Sequence, residues 1–348
     1  MCSKRFWKPL ATSLLISGAL GVLGVHAGAA PAIEVLTPSG GLPPNLVGQL
    51  RSAAAFVQTE SGGYIVFDAR GQQVYGVDAS KTRLRKLVAI GPSDGEILNP
   101  DGFAYSANKT FTIVDAPGKY ERVQTFYEDG TPLSRFQRWP ARAGVVRASV
   151  AGVMFGGFSA ITPIGRNILA SADRANDLIH EIDPDGTIVR AIGTTRETGH
   201  ANDAQMHRAF NNGIPLVAPD GSLYFVFTNG EPVFRKYSAD GRLIFERHIE
   251  GPELDGVLQS LPQVWARQTE RGVSFPVITA TVTAAAIDPR GDLWVSLSVP
   301  FTYVYDTGGN KTRTLQFRGT DAMAPTSFFF TKSGRLLVTP GCYEYIPY

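Results

Sequence analysis

The chain of 348 residues has only two cysteines, four methionines, four tryptophans and five histidines. Cys2 precedes the first apolar run and Cys342 stands near the C-terminus. No disulfide framework, paired-cysteine metal site or haem attachment motif is therefore expected, and the fold must be held by its core. Charged side chains are scarce at 18% and nearly balanced, 33 basic against 31 acidic for a net charge of +2, so no global field gathers nucleic acid. Beyond residues 10–23 no stretch is long and apolar enough to cross a bilayer. There is no glycine-every-third period, no Gly-rich phosphate loop between a strand and a helix, and no Gly-x-Ser-x-Gly elbow.

The N-terminus reads as a targeting segment. Lys4, Arg5 and Lys8 precede the apolar run, and small residues follow in Val25-His26-Ala27-Gly28-Ala29. This predicts a signal peptide over residues 1–29, with cleavage after Ala27 or after Ala29 both fitting the small-residue rule. An uncleaved anchor is the weaker alternative, because the run falls short of the ~20 residues that a spanning helix needs. Cys2 is not placed like a lipoprotein acylation site. Cleavage removes three bases and no acid, which leaves 30 basic against 31 acidic side chains. The expected mature protein, residues 30–348, is a secreted, periplasmic or extracellular single domain, nearly neutral, monomeric and without a membrane span. Cys342 would then be its one thiol, and with no histidine near it in sequence it reads as a buried structural residue.

What the chain does have is 37 Gly, 23 Pro, 20 Phe, 12 Tyr and 43% hydrophobic residues, enough for a sizeable core. From residue 50 onward short alternating apolar runs are broken roughly every 8–12 residues by turn signals, the pattern of an all-β chain. Asp129-Gly130, Asp185-Gly186, Asp220-Gly221, Asp240-Gly241 and Gly308-Gly309 sit between such runs, where strands can reverse tightly. A strand–turn–strand unit recurs at residues 53–68, 102–115, 159–173, 215–227, 283–296 and 326–338. A second strand pair follows most copies, and the spacing of about 53 residues suits four-stranded propeller blades with loops. The pattern predicts a six-bladed β-propeller of antiparallel blades. The last unit supplies three strands, so Ile33-Glu-Val-Leu36 is expected to close the ring as its fourth.

In the second unit Gly91-Pro-Ser-Asp-Gly-Glu-Ile-Leu-Asn-Pro-Asp-Gly-Phe-Ala104 is followed by Ile113-Val-Asp115 and Glu121-Arg-Val-Gln-Thr-Phe126. That order of Gly, Pro-x-Gly and Arg-Val-Gln resembles the NHL repeat, in part again at residues 172–188. The chain thus resembles exported, bacterial-type NHL-like propellers, and the resemblance implies a six-bladed ring that serves as a binding scaffold more often than as an enzyme. Fold alone does not fix function.

Function is expected on the face built by the links between blades, three of which are long: residues 138–157, 194–212 and 252–278. The first carries Arg138, Arg142 and Arg147 with Trp139, Met154, Phe155 and Phe158, in a stretch from residue 131 to 172 without an acid. Guanidinium groups there suit an anion, or pair with acids of other blades. The second gathers His200, Asn202, Asp203, His207 and Arg208. Two histidines seven apart can share a helical face and hold a metal with Asp203, or one can act as a base, yet the spacing fits no zinc signature. The third carries Trp265, Arg267, Arg271 and Phe275, types enriched at interfaces.

Propellers of the gluconolactonase and regucalcin type hold a divalent cation at the channel mouth with acids and amides. The matching blade starts here offer Asp101, Ser159, Asn211 or Asn212, Thr283 and Thr326, so one carboxylate. Amidating lyase propellers use a histidine-bound zinc, and His180 and His248 here lie in strand-like segments. Asp68, Asp115 and Asp173 each end a second strand and read as turn-capping residues. The expectation is a noncatalytic scaffold for a protein, peptide or glycan, with no nucleic acid and no cofactor. A metal-assisted lyase or hydrolase using a divalent metal at His200, His207 and Asp101 is the alternative.

Overall fold

In the computed structural model the described residues are 32–118, 121–138, 147–150, 153–155, 160–172, 176–270 and 273–348. Residues 1–29, where a signal peptide is expected, lie outside them, as do Arg142, Phe158, Ser159, Asp173 and Arg271. Among the described residues no helix is long and apolar enough to cross a membrane.

Six antiparallel four-stranded blades form the ring. Their inner strands are Ala53–Gln58, Pro100–Ser106, Ile161–Ile164, Gly213–Val217, Val282–Ile287 and Ser327–Phe330. These fall on the six repeat units read from the sequence. The second strands, such as Tyr64–Asp68, Leu223–Phe227 and Leu293–Leu297, are buried at every position. A strand covered on both faces reads as a continuous apolar run rather than an alternation. Outer strands such as Leu243–His248 are mostly exposed. The reversals are tight as expected, and Gly186 takes φ +87° in the turn after Asp185.

Each junction between neighbouring blades has its own apolar cluster. Val57, Phe67, Phe111 and Phe126 join the first two blades, and Leu169, Ile179, Phe225 and Tyr237 join the third and fourth. Leu293 and Phe234 meet between the fourth and fifth, and Phe56, Val66 and Leu337 between the sixth and first. Each such side chain, fully buried, contributes about 1.5–3 kcal/mol. Stability is therefore spread around the ring rather than stored in one centre.

The N-terminal segment closes the ring, but through different residues than expected. Ile33–Leu36 runs parallel to Lys311–Arg318 and adds a strand outside the fifth blade. Gly40–Gly41 pairs with Tyr343–Tyr345 and is the fourth strand of the sixth. The reason is steric. A Cβ on Gly40 would lie 2.8 Å from Glu344 Oε2, and one on Gly41, at φ +146°, would lie 2.5 Å from the Cys342 carbonyl oxygen. The first blade locks onto the same edge, because Lys81 Nζ lies 3.1 Å from Glu344 Oε2, whose other oxygen faces Arg335 at 3.1 Å.

The Gly-Pro-Ser-Asp-Gly and Arg-Val-Gln segments of the second unit are joined by hydrogen bonds. Arg122 donates to the carbonyls of Pro92, Ser93 and Glu96, each at 2.8 Å. Gln124 donates to the Glu96 carbonyl at 2.8 Å and accepts from the Gly95 amide at 3.0 Å. The Arg-Val-Gln strand thus holds the Gly-Pro-Ser-Asp-Gly loop ahead of it.

Candidate functional site

The three long links meet. Val153–Phe155 and Arg147–Val150 of the first join Val273–Ile278 and Arg267–Glu270 of the third in one four-stranded sheet, with Arg147 opposite Val277. Ile278, fully buried, packs with Met206, Ala209 and Phe210 of the second link, with Trp265 against them. Three segments far apart in sequence thus build one face.

The second link folds into a helix, Ala204–Phe210, because Asp203 caps it: its carboxylate accepts from the amides of Gln205 and Met206, each at 3.1 Å. Asp203 also pairs with Arg267 at 2.8 Å, and Arg267 donates to Gln205 Oε1 as well. The Met206 amide, with the Arg267 charge beside it, holds the Asp203 carboxyl below the usual aspartate range. His200 precedes the helix and stacks on Phe210, with ring centroids 5.3 Å apart, and Trp265 meets Phe210 edge-on at 5.5 Å. His207 lies within the helix and its Nδ1 is 3.0 Å from Thr198 Oγ1. The two histidines therefore do not share a helical face, because the chain enters the helix after His200. Asn202 and Arg208 are exposed on this face.

His180 is buried in the third blade with Nε2 2.9 Å from Asp177, and His248 lies beside Glu231 in the fourth. Among the described residues no three His, Cys, Asp or Glu side chains gather as a metal set requires, so His200, His207 and Asp101 do not form one. Arg135 of the basic stretch pairs with Asp94 at 2.8 Å. Asp68 accepts from the amides of Arg51, Ser52 and Gly71, a turn-capping role.

Beside this face the inner strands enclose a cavity of 490 Å³ along the ring axis. Asp101, Asn212, Thr283 and Thr326, the blade starts, do line it together. The helix end is fastened beside it, since Asn229 donates to the Ala209 carbonyl at 2.8 Å and the Thr228 amide to Asn212 at 3.2 Å. Arg196 braces the same corner, reaching the carbonyls of Phe210, Asn229 and Glu231 and lying 4.4 Å over the Phe227 ring. Burial pulls its pKa below the ordinary arginine value.

No family model and no curated protein matches the sequence. Among solved structures the chain is similar to a streptogramin B lyase, at 12% identity and a TM-score of 0.49 over 85% of this chain and 93% of that one. It is also similar to the Kuenenia stuttgartiensis hydrazine synthase, at 13% identity and 0.47 over 83% and 92%, and to a nidogen/laminin complex, at 10% and 0.44 over 75% and 78%. Similarity at this level transfers no activity. The propeller assignment rests on the strand pairing itself.

The residues missed from the sequence are those of the channel wall, Phe103, Tyr105, Phe328, Phe329 and Phe330. A signal was present. Asp101-Gly-Phe-Ala-Tyr105 alternates with period two, and the alanine runs 53–55 and 284–286 put small side chains on inner strands.

Proposed function

We propose that this chain is an exported, monomeric, NHL-like propeller that binds a protein, peptide or glycan, without turnover, on the face built by its three long links. The observation that carries this reading is the apolar tip of that face: Val264 is 86% exposed, beside the half-buried Trp265. Exposed apolar side chains next to an aromatic and a guanidinium group, here Arg267, are the chemistry of a contact surface. The groups that suggested catalysis are meanwhile engaged in structure, Asp203 as cap and ion-pair partner, His207 against Thr198, and His200 on Phe210.

The test compares ligand capture from the export compartment by the wild type and by Val264→Asp and Trp265→Ala. Both variants should fold and lose the captured ligand, and undiminished capture by both would refute the reading. The competing reading is a metal-assisted lyase or hydrolase, which would draw on Asp101 at the channel mouth. Near-stoichiometric zinc or calcium in protein purified without chelator, together with a Tm lowered by EDTA, would favour it.

A further inference from the structure

We propose that the central channel is a second binding site, taking a small molecule with a carboxamide head and an apolar ring body, the head held by Asn212 and Asn229. This does not rest on the face-binding reading. The volume of 490 Å³ falls within the range of about 300–1,000 Å³ typical of small-molecule sites.

The channel is polar at one end and apolar at the other. Where the inner strands start, its lining includes Asn212, Thr228, Asn229, Thr283 and Thr326. Toward their far ends the strands contribute Val57, Tyr105, Val217, Ile287 and Phe330. Extended chain from Asn212 to Val217 covers ~17 Å, so the two linings are well separated. A ligand that fills the channel therefore needs hydrogen-bonding groups at one end only.

At the polar end the hydroxyls are committed within the protein. Thr283 donates to the Pro325 carbonyl at 2.7 Å, Thr228 to the Asn212 carbonyl at 3.4 Å, and Thr326 shares a bond of 3.0 Å with Thr339. Asp101 is engaged within the protein as well. The two carboxamides differ from these. Asn229 is 1% exposed, and its Nδ2 donates to the Ala209 carbonyl at 2.8 Å. A carbonyl only accepts, so this bond fixes which way the amide is turned and leaves Oδ1 as a buried acceptor without a partner. An unmet buried acceptor is unfavourable, and an incoming N–H relieves it. Asn212 stands beside it, since the Thr228 amide binds the Asn212 carbonyl at 3.2 Å. The Asn212 side chain is half-buried and makes no hydrogen bond among the described residues, so its Nδ2 is open to a ligand carbonyl. A carboxamide supplies both halves at once, N–H for Asn229 and C=O for Asn212.

At the apolar end Tyr105 meets Phe329 edge-on at 5.8 Å, and both are half-buried. The Tyr105 hydroxyl is bonded to Glu128, which leaves the ring as the part that serves a ligand. An apolar ring body covers this aromatic surface.

Two probes of nearly the same shape test this on the full chain by equilibrium dialysis: biphenyl-4-carboxamide and methyl biphenyl-4-carboxylate, which has no N–H. The carboxamide should bind saturably at one per chain, and the ester at least about tenfold more weakly, because it leaves Asn229 Oδ1 unmet. Asn212→Ala removes a side chain that the fold does not bond, and should weaken the carboxamide by about threefold or more. Val264→Asp on the link face should leave binding unchanged. A diazirine placed on the far ring of the carboxamide and photolysed on the wild type should label peptides containing Tyr105 or Phe330, a readout that needs no variant to fold. Absence of saturable binding, equal affinity for the two probes, an Asn212→Ala variant that binds as tightly as the wild type, loss of binding in Val264→Asp, or labelling confined to outer strands or the link face would overturn the proposal.

Discussion

Arg122 grips Asp115 with two charge-assisted hydrogen bonds, Nε to Oδ1 at 2.9 Å and Nη2 to Oδ2 at 2.7 Å. Arg122 is 2% exposed and Asp115 fully buried. Bidentate geometry satisfies both groups away from water, and the remaining guanidinium protons hold the loop before the strand. Removing one partner strands the other charge. Arg122→Ala should therefore cost about 3–5 kcal/mol, and the Arg122→Leu, Asp115→Leu double variant markedly less than the sum of its single changes. Urea unfolding midpoints of the wild type, Arg122→Ala, the two single Leu variants and the double variant decide this.

The N-terminal latch divides into two parts with separable effects. Deleting through residue 37 removes the strand outside the fifth blade, while deleting through residue 41 also opens the sixth. The longer deletion should lower Tm further, by roughly 3 °C if about 2 kcal/mol of contacts is lost. Gly41→Ala alone should act in the same direction, since its Cβ has no room beside Cys342. Equal melting temperatures for the two deletions would contradict the closure seen at Gly40–Gly41.

Asp203 couples the link face to pH. Its carboxyl titrates below the ordinary value in the folded protein, chiefly through the Met206 amide and then Arg267. A depressed pKa contributes stability that is present above the unfolded value, about 3.9, and is lost as pH falls through the folded one. Amide exchange protection over residues 198–212 should hold from pH 7 to about 4 and fail below that. Asp203→Ala should show reduced protection already at pH 7, from loss of about 1 kcal/mol of capping.

Cys342 is fully buried beneath the latch, and burial pushes its thiol up to about 12. Ellman's reagent at pH 8 should leave the native protein unlabelled, and should react once per chain in denaturant when the protein tested lacks residues 1–29 and with them Cys2. Rapid labelling of the native protein would show that the latch opens readily.

The legible part of this molecule was the part with short-range causes. Tyr64–Asp68 and Leu223–Phe227 announce themselves as apolar runs because both their faces are covered, and Asp185-Gly186 announces a reversal because few residues tolerate its backbone. The three long links were legible as length. Their residues were legible as types, but Asp203 proved to be a helix cap and His200 a stacking ring, roles set by neighbours from Arg267 to Phe210.

By itself the sequence determined the repeat, the blade count and the inner hairpins, because each depends on alternation and turn chemistry within a few tens of residues. The tertiary structure decided which N-terminal residues close the ring. Pairing of Gly40–Gly41 with a strand some 300 residues away depends on the space beside Glu344 and Cys342, which exists only once the ring has formed. It also decided that Arg147 lies opposite Val277 and that Phe103, Tyr105 and Phe329 share one cavity. Closing a ring brings inner strands together around an axis, and no local pattern records which side chains then face one another.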